Sequence, residues 1–334
     1  MAIAHSDHES LALQHRGGVL LERYDIDLHL HPSLGFTLAK NHRSEIVNTD
    51  SEGFRHSTSP FGTVDSHSWL AHGGGLVLGN STAFGLAADR DSGTAASHLA
   101  ALTGVRQLNL ALVAANSLQE LVASLPYLHA ASTVVVFSGA GDYWTMMATR
   151  TPDSIFVPVF FEGTFASLSS IPLFQLAALA AGTPLPAPEG DDEDTAPPAP
   201  DFGDAEHRVA TAAQRQLRHL TALTRLVAPG TRILFCLQPF ATPRTRDIDP
   251  EEQRRFDFEE PIFGRKENSA YEQYWDSFAT LVSDGCAGLG VPFVNLSADL
   301  FTGYCFGDQF HLTDEGNRQA AILIHQALQA LPTP

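Results

Sequence analysis

The chain has 334 residues, 44% of them hydrophobic, enough to fill one large domain or a core domain with a small appendage. Its 20 Lys and Arg stand against 38 Asp and Glu, a formal charge of -18 that repels a phosphate backbone, excludes nucleic acid as a partner and disfavours an anionic membrane surface. Three cysteines, Cys236, Cys286 and Cys305, show no CxxC spacing and no paired histidines at zinc-like offsets, so neither a disulfide framework nor a metal site is implied.

In chain order, the opening MAIAHSDHESLALQHR carries acids where a secretory signal needs a basic start and an unbroken apolar run, and a cytoplasmic location is expected. Residues 1–72 read as a small β-containing extension, in which short runs such as VLLERYDIDLHL alternate with turn-rich polar sequence. His29 and His31 alternate within it and are expected to share a solvent-facing side. HGGG at 72–75 directly precedes a strand that does not lead into GxSxG, so His72 is expected in a loop. GGGLVLG and GLGVP lack the GxGxxG spacing, and no cofactor is implied.

From residue 73 apolar runs alternate with segments of helical length. GLVLG precedes TAASHLAAL, VRQLNLALV precedes SLQELVASL, and STVVVFSG, TRILFCLQP (231–239) and VPFVNL (291–296) follow. Helices are predicted over 204–227, 269–288 and 313–331. Five parallel strands with helices between them predict an α/β fold, a flavodoxin-like doubly wound sheet. Two insertions interrupt it, at about 145–203 and 243–268. The first begins with SIFVPVFFEGTFASLSSIPLFQLAALAAG, too broken by Pro158, Glu162 and Pro172 to span a membrane; it is expected to form buried helices or a lid. The acidic TPLPAPEGDDEDTAPPAPDFGD then reads as a surface linker. The second insertion, RTRDIDPEEQRRFDFEEPIFGRKENS, is polar, and both should overhang the strand ends where such sheets bind ligands.

In LVLGNSTAFG, Ser81 falls where the first sheet strand gives way to a helix, a place where a serine on its own reads first as a helix cap and only with further partners as a nucleophile. Near the other end of the chain, GDQFHLTDEGN places Asp308 three residues before His311, just ahead of the last helix. A hydroxyl, a carboxylate and an imidazole in that order are the parts of a nucleophilic triad.

These blocks resemble the SGNH, or GDSL-type, hydrolase family. GNSTAFG stands where the family has GDS or GGST, NLALVAANSLQEL resembles its second block, FSGAGDYW its third block GxND, and DQFHLTDEGN its closing block. HPSLGFTLAKNHRSEIVNTDSEGFRH resembles the segment before GGST in longer members, so the resemblance covers about 30–142 and 231–330. It implies that Ser81 is the nucleophile, His311 the general base and Asp308 the residue that orients the imidazole. It also implies an oxyanion hole made by the N–H of Ser81, the N–H at the second-block glycine, here assigned to Ala111, and the third-block asparagine, here Gly141. Asn80 replaces the family's Asp or Gly. Since glycine has no amide to offer, two substitutes stand open: the side chain of Asn116, which equally suits an N-cap of SLQELVASL, and the N–H of Gly141 itself. The implied activity is cofactor-free hydrolysis of an ester or thioester through an acyl-enzyme, on a small-molecule or carrier-tethered acyl substrate. An acyltransferase with the same triad, and a binding protein of this fold with impaired catalysis, are the alternatives.

Overall fold

The computed structural model describes residues 27–149, 155, 156, 158–160, 162, 165, 171–182, 204–241, 246–263 and 265–331. The expectations for the first 26 residues and for the acidic linker fall outside them. Of the apolar stretch in the first insertion the described part includes a helix over Leu173–Ala180, and this helix is not buried as expected, since Leu173 and Phe174 are exposed. Two antiparallel hairpins come first: β1 (Leu28–His31) with β2 (Gly35–Leu38), and β3 (Ser57–Ser59) with β4 (Gly62–Val64). Within β1, His29 is exposed, while the half-buried His31 turns Nδ1 onto the N–H groups of Ser33 and Leu34. Helix α1 (Ser66–His72) follows, capped by Asp65. His72 is therefore the last residue of a helix rather than part of a loop, and its Nδ1 lies 2.8 Å from the Ser68 carbonyl.

The remaining strands are β5 (Gly74–Gly79), β6 (Gln107–Asn109), β7 (Ala131–Ser138), β8 (Arg232–Leu237) and β9 (Phe293–Asn295). They form one five-stranded sheet in the order β6-β5-β7-β8-β9, parallel at every pairing. This is the flavodoxin-like order, whose reversal of winding beside the first strand opens a crevice at the carboxyl ends of β5 and β7. The central strands β5, β7 and β8 are largely apolar because both faces are covered. Alternate residues point to opposite faces: Leu76, Leu78, Val134, Val136, Phe235 and Leu237 enter one core cluster, while Val77, Val135, Phe137, Leu234 and Cys236 enter the other.

The helices follow the strands. After β5 come the four-residue α2 (Ser81–Phe84) and α3 (Ala95–Thr103); after β6, α4 (Ser117–Ser124); after β7, α5 (Ala140–Ala148), α6 (Leu173–Ala180) and α7 (Ala205–Leu226). After β8 come α8 (Pro250–Phe263) and α9 (Arg265–Leu289), and α10 (Asp314–Ala330) closes the chain. Helices α4, α7 and α9 cover the first face, supplying Ala123, Leu220 and Val282 among others, and α3 and α10 cover the second with Leu99 and Ile324.

Two elements depart from the sequence pattern. The second strand is shorter than the apolar run VRQLNLALV because the chain leaves regular pairing after Asn109, although Leu110 and Leu112 still donate to the Val77 and Gly79 carbonyls. The polar second insertion holds a helix, α8, that reaches into the core: Phe256 is buried and Glu252 fully so. No helix among the described residues is long and apolar enough to cross a membrane. The three cysteines are free and buried, with the thiols of Cys286 and Cys305 pushed up to about 12 by burial.

Candidate active site

Strand β5 ends on Gly79, where an added Cβ would lie 2.1 Å from the Phe137 carbonyl oxygen of β7. Only glycine lets the two strand ends close to this distance at its φ of +155°, and the chain can then turn sharply out of the sheet. Asn80 caps the short helix α2, its Oδ1 accepting from the Thr82 N–H at 3.1 Å. The cap is thus the asparagine, and the hydroxyl of Ser81, the first residue of α2 and only partly buried, is available to another partner.

That partner arrives from the loop before α10. A bridge between Phe306 and Leu312 closes this loop, and the Gly307 N–H donates to the His311 carbonyl at 2.8 Å. Asp308, buried within it, accepts at Oδ1 from the N–H groups of Phe310 and His311, each at 2.8 Å. Its Oδ2 lies 2.5 Å from His311 Nδ1, and His311 Nε2 lies 2.7 Å from Ser81 Oγ. Because the carboxylate only accepts, Nδ1 carries the proton and Nε2 presents a lone pair to the serine hydroxyl. Residues 230 apart in sequence are thereby placed as nucleophile, base and orienting acid.

The loop is held from below by the second insertion. Glu252 of α8, with no exposed surface, accepts from the N–H groups of Cys305 at 2.7 Å and Phe306 at 3.0 Å, and pairs with Arg246 at 2.6 Å. The Arg246 guanidinium lies over the Phe306 ring, 5.0 Å from its centroid. Beside the triad, the Phe310 ring meets those of Trp144 at 5.1 Å, Phe240 at 4.9 Å and His311 at 6.4 Å, an apolar wall with two partly buried members, Trp144 and Phe310.

No protein-family model matches this chain, and the comparison with curated proteins returns no match. Among solved structures, an extracellular lipase from Streptomyces rimosus is similar at 14% identity and a TM-score of 0.43, over 77% of this chain and 99% of that one. A phospholipase A1 from Streptomyces albidoflavus NA297 is similar at 15% identity and a TM-score of 0.44, over 77% and 98%. A carbohydrate acetylesterase from Sinorhizobium meliloti is similar at 13% identity and a TM-score of 0.43, over 77% and 99%. The strand order and the Ser81, Asp308 and His311 geometry are properties of this chain itself and do not depend on these likenesses.

Against the SGNH pattern, the assignment of the second-block donor needs correction. The Ala111 N–H is buried and donates to Asn109 Oδ1 at 3.2 Å, so it has no capacity left for an oxyanion. Three residues later Ala114 has φ +58°, in the left-handed region that glycine adopts freely and alanine rarely. Ala114 is partly exposed. Asn116 is also unavailable: Oδ1 caps α4 through the N–H groups of Leu118 and Gln119, and Nδ2 donates to the Pro158 carbonyl at 2.8 Å. Gly141 sits where the third-block asparagine would be, and a Cβ there would lie 2.1 Å from the Ala115 carbonyl oxygen. No side chain fits at 141, while its N–H belongs to the first turn of α5, whose N–H groups have no partner within the helix.

A buried polar cluster fastens α5 to the loop bearing Ala114. Asp142 accepts from the Ser117 N–H at 2.7 Å and from Ser117 Oγ at 2.6 Å, and Ser117 Oγ also lies 2.7 Å from His219 Nδ1. Burial raises the Asp142 carboxyl to about 6 and lowers His219 to about 4. One turn along α4, fully buried Glu120 accepts from Ser138 Oγ at 2.6 Å and is raised by burial to about 8. None of this cluster was foreseen from sequence, where Asp142 reads only as part of the third block FSGAGDYW.

Proposed function

We propose that this protein is a serine hydrolase of esters or thioesters, working through an acyl-enzyme on Ser81. The observation that carries the reading is the 2.7 Å approach of His311 Nε2 to Ser81 Oγ while Asp308 fixes the opposite ring nitrogen. As the hydroxyl oxygen attacks the substrate carbonyl, its proton passes to Nε2, and Asp308 stabilises the imidazolium that forms. The N–H groups of Ser81, Ala114 and Gly141 receive the charge on the carbonyl oxygen, an all-backbone substitute for the missing asparagine amide. Collapse of the intermediate expels the alkoxide or thiolate, protonated by His311, and leaves the acyl group on Ser81. A water then gives its proton to His311, attacks the acyl carbonyl and releases the acid.

The partly buried Trp144 and Phe310 rings beside His311 favour a substrate with an apolar part lying against the imidazole. The test is turnover of a series of p-nitrophenyl esters of increasing acyl length by the wild type and by Ser81→Ala. Hydrolysis by the wild type alone is expected, whereas equal release by both proteins, or turnover only on addition of an alcohol or amine acceptor, would overturn the reading.

A further inference from the structure

Gln238, the residue after β8, is 1% exposed and lies behind the candidate nucleophile. Its Oε1 accepts from Asn80 Nδ2 at 2.5 Å and from the Ala140 N–H at 3.2 Å, and its Nε2 donates to Thr82 Oγ1 at 2.8 Å. Thr82 Oγ1 in turn donates to the Phe310 carbonyl at 2.9 Å, between Asp308 and His311. One amide thus touches the residues on both sides of Ser81 and, through one hydroxyl, the loop that carries the acid and the base. We propose that Gln238, acting through Thr82, is a positioning residue that sets the Ser81 hydroxyl in register with His311; this rests on the reading of Ser81 as nucleophile.

The polarity of the network follows from two groups that can only donate. The Ala140 N–H requires an oxygen on Gln238, which turns Nε2 toward Thr82. The Thr82 hydroxyl then accepts from that amide and has its own proton left for the Phe310 carbonyl. The Thr82 N–H likewise requires Oδ1 of Asn80, which turns Nδ2 toward Gln238 Oε1. Asparagine at position 80 is thereby explained. An aspartate would set a second acceptor against Gln238 Oε1, and a glycine would leave both the cap and the amide contact empty. Each bond in the chain fixes the orientation of the next group, so a change at one end is felt as a reorientation at the other.

Three substitutions separate this role from general packing. Thr82→Val keeps the shape and removes the hydroxyl. Gln238→Glu keeps acceptors for Asn80 and Ala140 but draws the Thr82 proton to its carboxylate and so releases the Phe310 carbonyl. Thr82→Ser restores the hydroxyl on a smaller side chain. The rate constant for fluorophosphonate labelling of Ser81 is expected to fall by about 10²-fold in the first two, the scale of a misplaced reacting group, and to be largely kept in Thr82→Ser. In ester turnover the loss should appear in kcat rather than KM. Independently of any turnover, the low-field proton of His311 Nδ1 in the NMR spectrum is expected to shift or broaden in Thr82→Val and Gln238→Glu and to remain in Thr82→Ser. An unlabelled wild type would overturn the nucleophile reading and, with it, the catalytic consequence of the network. Unchanged labelling and an unchanged His311 signal in Thr82→Val, with a labelled wild type, would overturn this proposal alone.

Discussion

Glu252 and Arg246 form a buried ion pair in an insertion that reads, in sequence, as a solvated polar run, and the pair supports the loop of Asp308 and His311. Glu252→Gln keeps an oxygen for the Cys305 and Phe306 N–H groups but turns its amide toward Arg246, leaving a guanidinium whose side chain is 6% exposed facing another donor. Stranding one partner of a buried pair costs about 3–5 kcal/mol, and Glu252→Ala adds two orphaned N–H groups at about 1–3 kcal/mol each. Replacing both partners removes the stranded charge, so Arg246→Met combined with Glu252→Gln should recover much of the loss. Urea unfolding followed by tryptophan fluorescence measures the change as a shift of midpoint at constant m-value. The single Gln variant should be the less stable of the two, with slowed labelling of Ser81. A single variant within about 0.5 kcal/mol of wild type, the range of an ordinary surface change, would refute the brace. So would a double variant no more stable than the single.

Glu120 should give the fold a pH dependence: the unfolded chain releases this proton near 4.5, the folded one only near 8, so stability falls as the pH rises through that window, by up to about 1.4 kcal/mol per unit. Glu120→Gln keeps an acceptor for Ser138 and should flatten that decline in urea titrations at pH 6 and pH 8.5; an identical decline would count against the buried acid. In Asp308→Asn, the Phe310 and His311 N–H groups claim the amide oxygen, so the amide nitrogen faces Nδ1 and fixes the tautomer that cannot accept the serine proton; a loss of about 10⁴-fold in kcat is expected at unchanged fold. Gly141→Ala must displace the Ala115 carbonyl, and calorimetry should show a destabilisation of about 1–3 kcal/mol together with slower labelling, since the displaced loop carries Ala114.

The sheet was legible because its three central strands, β5, β7 and β8, are largely apolar runs with side chains in the core on both faces, and the candidate acid and base because Asp308 and His311 lie within one short loop. The partner of that pair, Ser81, was ambiguous from its own surroundings until Asn80 proved to be the cap. Elsewhere the sequence misleads for physical reasons. In NLALVAAN, residue type alone does not distinguish Ala111 from Ala114, and the difference is a backbone φ of +58° that alanine does not advertise. Glu252 reads as surface because its neighbours are charged, and its burial is decided by a loop some fifty residues away. Gln238 follows a strand without any pattern, and its importance comes from the Ala140 N–H and the Asn80 and Thr82 side chains contributed by other elements.

The most direct test of the account is mass spectrometry of the folded protein after exposure to a fluorophosphonate. One phosphonyl adduct on the peptide containing Ser81, absent from Ser81→Ala and from wild type unfolded in urea, is the predicted result. A folded wild type left unmodified, or an adduct that persists in Ser81→Ala, would contradict the assignment of Ser81 as an activated nucleophile.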